Sequence, residues 1–284
     1  MGQPLGLFFF SKGADLMLWN AKNMYIVMDE REMPCAAFGR GKQTLVLLPG
    51  LGDGLKNTQG MALPLAWMYR RLIRDYRVLV LSRAIPLKED STTADMAEDV
   101  AMALKKLGVE QAAVVGVSMG GMIAQHLAAR HPELVSKLVL TVTSPCSNPV
   151  LEDSVSRWID MAQRGDHRAL MVDNGKRIYS DSYLKKYGWM FPVVARFTKP
   201  RSYRQFLIMA QACRTHDARA VLSSIQTPTL VIGGEKDKTL GGDSSRALAA
   251  AIPGAELKMY AQYGHGCYEE AVDFQSILLD FLTK

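Results

Sequence analysis

The chain has 284 residues, of which 48% are apolar and 22% are charged, and its formal net charge is +6. This length is enough to bury a sizeable core, in one large α/β domain or in two ordinary domains. The composition is typical of a globular protein, and the absence of any run of 18 apolar residues argues against a transmembrane helix.

The amino-terminal segment MGQPLGLFFFSKG has an apolar patch that no basic residue precedes, which argues against a secretory signal. Gly6 occupies the position where a myristoylation motif requires Ser or Thr. The four cysteines are widely spaced and lack the spacing of a metal site, as expected for free thiols in a reducing compartment. These features predict a cytoplasmic protein.

Short apolar runs alternate with helical segments along the chain. The runs are TLVLLPG (44–50), RVLVLS (77–82), AAVVGVS (112–118), KLVLTVTS (137–144) and TLVIGGEKD (229–237). Each run is apolar on both faces, like a strand of a parallel sheet that helices cover. The clearest helix is 93–107, which has an apolar stripe, a capping box formed by Thr92 and Asp95, and Gly108 at its end. The alternation predicts an α/β fold with a mostly parallel central sheet and helices on both faces.

The alternation breaks over residues 146–222, which contain no strong β-run and many large side chains. Because the β/α pattern resumes at Thr227, we expect an all-helical insertion between two strands of one sheet. The predicted organisation is a core formed by residues 1–145 and 223–284, with 146–222 as a helical cap.

Ser118 lies where a strand-like run meets a helical segment, in the sequence Gly-Val-Ser-Met-Gly. A residue on so sharp a turn needs small neighbours two positions before and after it, and Gly116 and Gly120 meet that need. The turn exposes the hydroxyl, and the N–H groups that begin the next helix favour developing negative charge. We predict that Ser118 is a nucleophile; the alternative is a Gly-rich turn without chemistry.

A serine nucleophile needs a base, and the base needs an orienting acid. After a nucleophile elbow, the acid follows a later strand and the histidine follows the acid. His265 fits, since it lies between two glycines after the strand-like stretch ELKMYAQ. The other histidines lie in helical or inserted segments: His126, His131, His167 and His216. Asp237, at the end of the run 229–237, is the expected acid, with Glu235 and Asp243 as alternatives.

The oxyanion of an acyl-transfer intermediate needs two N–H donors. One is expected from the backbone of Met119, directly after the nucleophile. The other should come from the loop LLPGLGDG (47–54), where Leu51 is the best candidate; the alternative for this loop is a simple Gly-rich turn.

On these motifs the chain resembles the α/β-hydrolase family, in its branch of capped serine esterases, haloperoxidase-like proteins and C–C bond hydrolases. The resemblance covers roughly residues 40–284 and rests on GVSMGGMIAQHLAARHPELVSKLVL, GGEKD and YGHG. It implies that Ser118 is the nucleophile, that Asp237 orients His265, and that His265 acts as general base and then acid.

Two loops depart from the family pattern. Pro49 replaces the histidine that often precedes the oxyanion-loop glycine, and Arg83 stands in a Ser-Arg-Ala-Ile-Pro loop that lacks the usual glycines and acid. Both loops border the site, so the shape of the acyl pocket is not predicted.

The resemblance predicts a serine hydrolase that cleaves a small or medium carboxylic ester through an acyl-enzyme, with no cofactor and no metal. One alternative is a C–C bond hydrolase or lyase with the same triad. Another is a small-molecule receptor on a hydrolase scaffold, because one fold serves many functions. The sequence does not predict the oligomeric state.

Residues 154–219 contain 13 Lys or Arg and 5 Asp, a net charge of +8, which leaves about −2 for the rest of the chain. These cations could form a solvated face, or attract an anionic substrate or an acidic surface. No nucleic-acid-binding motif accompanies them, and no stable membrane insertion is expected. We expect the cations to face outward and the apolar side chains to line a pocket for a substrate with an apolar acyl or alcohol group.

Overall fold

The computed structural model describes residues 19–284, so the predictions for the amino-terminal segment lie outside the described residues. An eight-stranded sheet has the order β1-β2-β4-β3-β5-β6-β7-β8. Its strands are Lys22–Met28 (β1), Arg31–Phe38 (β2), Gln43–Leu48 (β3), Tyr76–Leu81 (β4), Ala112–Val117 (β5), Val135–Thr141 (β6), Thr229–Gly234 (β7) and Glu256–Tyr260 (β8). Strands β3 to β8 pair in parallel, and β2 is antiparallel to both of its neighbours.

Helices cover both faces of the sheet. They are Ala62–Met68 (α1), Thr93–Lys106 (α2), Met119–Arg130 (α3), Pro149–Gln163 (α4), His167–Ile178 (α5), Asp181–Tyr187 (α6), Met190–Thr198 (α7), Arg204–Arg214 (α8), Arg219–Leu222 (α9), Asp243–Ala251 (α10), Cys267–Glu270 (α11) and Phe274–Thr283 (α12). The predicted fold class is therefore confirmed. In the described part of the chain, no helix has both the length and the apolar character needed to cross a bilayer.

Helix α2 begins and ends as its sequence predicts. Thr92 and Asp95 form a reciprocal capping box, in which the Asp95 N–H donates to the Thr92 hydroxyl and the Thr92 N–H donates to the Asp95 carboxylate. Gly108 follows the last turn with φ 64°, a conformation that glycine adopts without the steric cost of a Cβ.

The hairpin formed by β1 and β2 is not among the predicted strands. Ile26 and Met28 face the core, whereas Tyr25 and Val27 are 48% and 65% exposed. Because β1 is an edge strand with one solvated face, it lacks the two-sided apolar run that marks the buried parallel strands. Its signal is the period-two alternation that precedes the turn at Asp29.

The two faces of the sheet bury separate apolar clusters. In β3, Val46 and Leu48 pack in the cluster that includes α2 and α3, and Leu45 and Leu47 pack in the cluster that includes α1 and α12. This alternation explains why the central strands are apolar at every position. The parallel pairing of β3 to β8 places the carboxyl ends of β3, β5, β7 and β8 along one edge of the sheet.

Helices α4–α9, called here the inserted helices, all lie between β6 and β7 in the chain. Helix α8 packs against the short turn Leu51–Gly54 after β3, where a Cβ on Gly54 would lie 2.7 Å from the Phe206 Cα. On the other side, the Gly266 N–H donates to the Ile178 carbonyl at 2.7 Å. The inserted helices thus contact the core on both sides of the strand ends.

Candidate active site

Ser118 occupies a sharp turn between β5 and α3, with φ 54° and ψ −120°. A non-glycine residue in such a conformation costs on the order of 1–3 kcal/mol and persists only where its surroundings fix it. Three hydrogen bonds do so: the Ser118 N–H donates to the Thr141 carbonyl at 2.9 Å, and the Ser118 carbonyl accepts from the Thr143 hydroxyl and the Gly121 N–H, both at 2.8 Å.

The glycines on either side of Ser118 are required by close backbone contacts. A Cβ on Gly116 would lie 2.5 Å from the Gly120 carbonyl oxygen, and a Cβ on Gly120 would lie 1.9 Å from the Leu48 carbonyl oxygen. The start of α3 therefore lies directly against the end of β3. This contact places the turn that carries Ser118 beside the loop that follows β3.

His265 and Asp237 form a buried pair at the ends of neighbouring strands β8 and β7. The His265 Nδ1 lies 2.8 Å from the Asp237 Oδ2, and each side chain is 4% exposed. The other carboxylate oxygen, Oδ1, accepts from the backbone N–H groups of Thr239 at 2.7 Å and Leu240 at 2.9 Å. Because a carboxylate only accepts, Nδ1 carries the proton and Nε2 keeps its lone pair.

The two alternatives for the acid have other positions. The Glu235 carboxylate pairs with Arg246, and Asp243 begins α10. Within residues 19–284, neither of them bonds to His265.

The other four histidines have structural partners. His131 pairs with Glu98 at 2.8 Å, and His167 contacts the Thr198 hydroxyl at 3.1 Å. His126 and His216 pack edge to face with ring centres 5.5 Å apart.

Ser118 and His265 lie at the same edge of the sheet, but among the described residues the structure has no hydrogen bond between them. Such contacts are often long without substrate and shorten in the reacting complex. The structure thus brings together the acid and the base, and holds the serine separately on its turn.

The two expected oxyanion donors have free N–H groups. Leu51 and Met119 are buried, and within residues 19–284 neither backbone N–H has a hydrogen-bond acceptor. A buried N–H without a partner is rare and costly in a folded protein. A Cβ on Gly50, beside Leu51, would lie 3.3 Å from the Ser118 Cβ, so this loop directly borders the serine.

A buried hydrogen-bond network around Arg83 and Asp53, which the sequence does not predict, holds that loop. Arg83 is 2% exposed, and its guanidinium donates to the Pro49 carbonyl at 2.5 Å and to the Leu81 carbonyl at 3.4 Å. Asp53 accepts from the Arg83 N–H at 2.9 Å and from the Ser82 hydroxyl at 2.6 Å. Burial raises the pKa of Asp53 and lowers the pKa of Arg83, and their opposite charges counteract both shifts.

This network joins the two loops that depart from the family pattern, the loop with Pro49 and the loop with Arg83. Arg83 follows β4 and Asp53 follows β3, so their meeting depends on the pairing of these two strands. The available sequence signal is an acid and an arginine just beyond the ends of two apolar runs.

A cavity of about 200 Å³ lies beneath the loop after β3, between the sheet and helices α1 and α12. Its lining is largely apolar and includes Leu48, Pro49, Met61, Val117, Tyr268 and Phe274. Val117 directly precedes Ser118, and Tyr268 follows His265 by three residues. Ser118 and His265 do not themselves line the cavity, but each is within three residues of a side chain that does, and Lys56 is among its polar residues.

Known proteins resemble this chain over most of its length. A family profile described as alpha/beta hydrolase fold matches residues 43–166. A protein of Serratia proteamaculans (strain 568) named as a candidate carbamate hydrolase, RutD, is 29% identical over 253 residues, which cover 85% of this chain and 91% of that protein. The 2-hydroxy-6-oxononadienedioate/2-hydroxy-6-oxononatrienedioate hydrolase 2 of Pseudomonas putida is 27% identical over 258 residues, which cover 86% of this chain and 89% of that protein.

A solved structure extends the likeness to the whole fold. MGS-M2, an alpha/beta hydrolase enzyme from a Medee basin deep-sea metagenome library, matches with a TM-score of 0.82 over 92% of this chain and 98% of that chain, at 22% identity. The sheet order, the strained turn at Ser118 and the matched profile agree with one another. The chain therefore has the α/β-hydrolase fold.

Proposed function

We propose that this protein is a serine hydrolase that cleaves a small or medium carboxylic ester with an apolar acyl group, through an acyl-enzyme. The observation that carries the proposal is the buried contact of 2.8 Å between His265 and Asp237, at the same edge of the sheet as a serine on a strained strand-to-helix turn. A histidine in the tautomer that leaves Nε2 free can take a proton from a serine hydroxyl.

In the proposed reaction, the Ser118 oxygen attacks the ester carbonyl while His265 Nε2 takes its proton. Asp237 stabilises the imidazolium that forms, and the N–H groups of Leu51 and Met119 donate to the oxyanion. The imidazolium then gives its proton to the leaving alcohol, and an acyl-enzyme remains. Water, deprotonated by His265, attacks the acyl carbonyl, and the imidazolium then returns the proton to the Ser118 oxygen as the acyl bond to it breaks and the acid is released.

The cavity beneath the loop after β3 supports a small apolar acyl group. An apolar cavity of about 150 Å³ holds benzene, and a pocket that encloses a drug-sized ligand has roughly 300–1,000 Å³. At about 200 Å³, this cavity fits a group of about the size of a phenyl ring or a short alkyl chain. We therefore propose butanoyl- to benzoyl-sized acyl groups.

The distribution of positive charge favours a neutral substrate. Within residues 19–284, Arg83 is the only buried Lys or Arg, and its guanidinium donates to the Pro49 and Leu81 carbonyls. The name of the Pseudomonas putida relative gives a substrate with two carboxylates. No buried Lys or Arg among the described residues lines the cavity to pair with such a dianion, and burying it unpaired would cost several kcal/mol.

A second candidate is cleavage of a C–C bond beside a carbonyl by the same residues, and the similarity to that relative supports it. A third is a receptor that binds a small molecule with little turnover. Ester hydrolysis differs from both candidates in the steady turnover of an activated ester by the purified protein.

A panel of p-nitrophenyl esters with acyl groups from acetyl to decanoyl, with benzoyl added, tests the proposal. We expect a stoichiometric burst, then steady turnover that is fastest for butanoyl to benzoyl groups, and loss of both in Ser118→Ala. A burst without turnover would support the receptor.

A matched neutral and anionic ester pair, measured at low and high ionic strength, tests the charge of the substrate. A large effect of salt on kcat/KM for the anionic ester only would contradict the neutral-substrate proposal.

A further inference from the structure

Helix α7 presents an apolar stripe to solvent. Trp189, which has helical backbone angles directly before α7, and Val193 and Phe197 within the helix are spaced four residues apart and lie on one face. Their exposed fractions are 68%, 44% and 80%. Large apolar side chains grouped on one exposed face call for a partner.

The opposite face of α7 is well packed, so the stripe is not the result of a loosely attached helix. Ala195 is 5% exposed, and the Phe191 ring lies so close to Gly175 of α5 that a Cβ there would be 2.8 Å from it. The Phe191 ring also packs against the Tyr179 ring, with centres 5.7 Å apart. The fold therefore holds the stripe in a fixed outward orientation.

Positive charge surrounds the stripe. Residues 182–216 contain no Asp or Glu. Five exposed cations lie within or beside α7 and have no ion pair in the described part of the chain: Lys185, Lys186, Arg196, Lys199 and Arg201. Several other arginines of the inserted helices are paired, such as Arg177 with Asp153 and Arg214 with Glu152.

This combination points to the surface of an anionic lipid bilayer. Trp and Phe on one face of a short helix can enter the boundary between headgroups and acyl chains, while flanking Lys and Arg remain at the charged headgroups. A protein partner fits less well, because the three side chains expose on the order of 400 Å², against roughly 800 Å² per partner in a stable interface. We propose that α7 and its five cations bind anionic membranes peripherally.

Binding in this orientation would place the candidate active site near the lipid. Tyr179, which packs on α7 through Phe191, donates its hydroxyl to Glu269 at 2.6 Å, four residues after His265. The lipid-binding proposal itself does not depend on the reaction that the site catalyses.

Flotation of the full-length protein with vesicles tests the proposal. We expect binding to vesicles of phosphatidylcholine with phosphatidylglycerol at low ionic strength, and little binding to phosphatidylcholine alone. The triple change of Lys185, Lys186 and Lys199 to Gln should weaken binding about 100-fold, at roughly fivefold per cation. The double variant Trp189→Ser and Phe197→Ser should float with anionic vesicles much less than the wild type.

Matched control variants change the same residue types elsewhere on the surface. Val27→Ser with Val272→Ser removes side chains that are 65% and 73% exposed. A triple Gln variant at Lys22, Lys42 and Lys105 removes three exposed cations that have no ion pair in the described chain. Both controls should bind anionic vesicles as the wild type does, and every variant should keep the wild-type thermal unfolding.

Four flotation results would overturn the proposal. The wild type could fail to bind anionic vesicles, or could bind neutral vesicles equally well. The control variants could lose as much binding as the α7 variants, or the α7 variants could bind as well as the wild type, which would place the contact elsewhere in the chain. A dimer that dissociates in the Trp189→Ser and Phe197→Ser variant would assign the stripe to a second copy of the chain, and would also overturn it.

Discussion

Replacing Asp237 with Asn should reduce kcat by about 10⁴, and the structure shows how. The carboxylate has two separate tasks: Oδ1 accepts from the N–H groups of Thr239 and Leu240, and Oδ2 faces the His265 Nδ1. In the variant, the amide oxygen must stay with the two backbone donors, because an NH₂ group there would meet two N–H groups. The NH₂ group is then directed at the imidazole.

That orientation imposes the wrong tautomer. Since the NH₂ group donates, His265 Nδ1 must accept and the proton moves to Nε2, which can then no longer take a proton from Ser118. A loss of about 10⁴ corresponds to about 5.5 kcal/mol of transition-state stabilisation. KM should change little, because Asp237 is buried behind the histidine.

The assay is kcat for p-nitrophenyl butanoate, with thermal unfolding measured alongside to show that the variant folds. Glu235→Gln and Asp243→Asn are the controls and should each retain kcat within about threefold, since neither bonds to His265 in the described chain. The reasoning is refuted if Asp237→Asn keeps kcat within tenfold of the wild type, or if either control loses as much.

Three further predictions follow from buried contacts. Gly120→Ala should lower the free energy of unfolding, measured by urea denaturation, by about 3 kcal/mol or more, because its Cβ would lie 1.9 Å from the Leu48 carbonyl oxygen. The control Gly52→Ala, whose Cβ would have nothing within 4 Å, should change this free energy by less than about 0.5 kcal/mol. Arg83→Lys should lower kcat about 10- to 100-fold with KM little changed, because a lysine lacks the planar fork that bridges the Pro49 carbonyl of the loop after β3 and the Leu81 carbonyl of β4. A changed KM with unchanged kcat would contradict this. Burial, with nearby His126, lowers the pKa of His216 from 6.5 to about 3, so the unfolded chain binds its proton first as pH falls. The free energy of unfolding should therefore fall by about 2 kcal/mol between pH 7 and pH 5 from this group, and His216→Gln should reduce that slope.

The parallel part of the fold could be predicted from the sequence because both faces of its strands are buried. Runs such as 112–117 are apolar at every position, and the turn chemistry at Thr92 and Gly108 bounds α2. The strand β1 escaped prediction because half of its side chains face solvent. At an edge, the period-two pattern is weak in a short segment, and tertiary pairing determines the structure.

Some residues of the candidate site could be predicted from the sequence, and others could not. Ser118, Asp237 and His265 were selected by motif and chain order, and the structure places the last two in contact, but their roles remain a prediction. The Asp53 and Arg83 network could not be predicted, because it depends on side chains from two strand ends that meet only through the pairing of β3 and β4. The exposed stripe of α7 was expected to pack inward, since a pattern of large apolar residues does not say which of them lack a partner.

The central claim is that Ser118 is a nucleophile activated by His265. Reaction with a fluorophosphonate probe, followed by intact-mass analysis and peptide mapping, measures this directly. We predict a single adduct on Ser118 in the wild type, no adduct in Ser118→Ala, and a labelling rate lower by on the order of 10⁴ in His265→Ala. An adduct on another residue, or equal labelling rates in the wild type and His265→Ala, would contradict the claim.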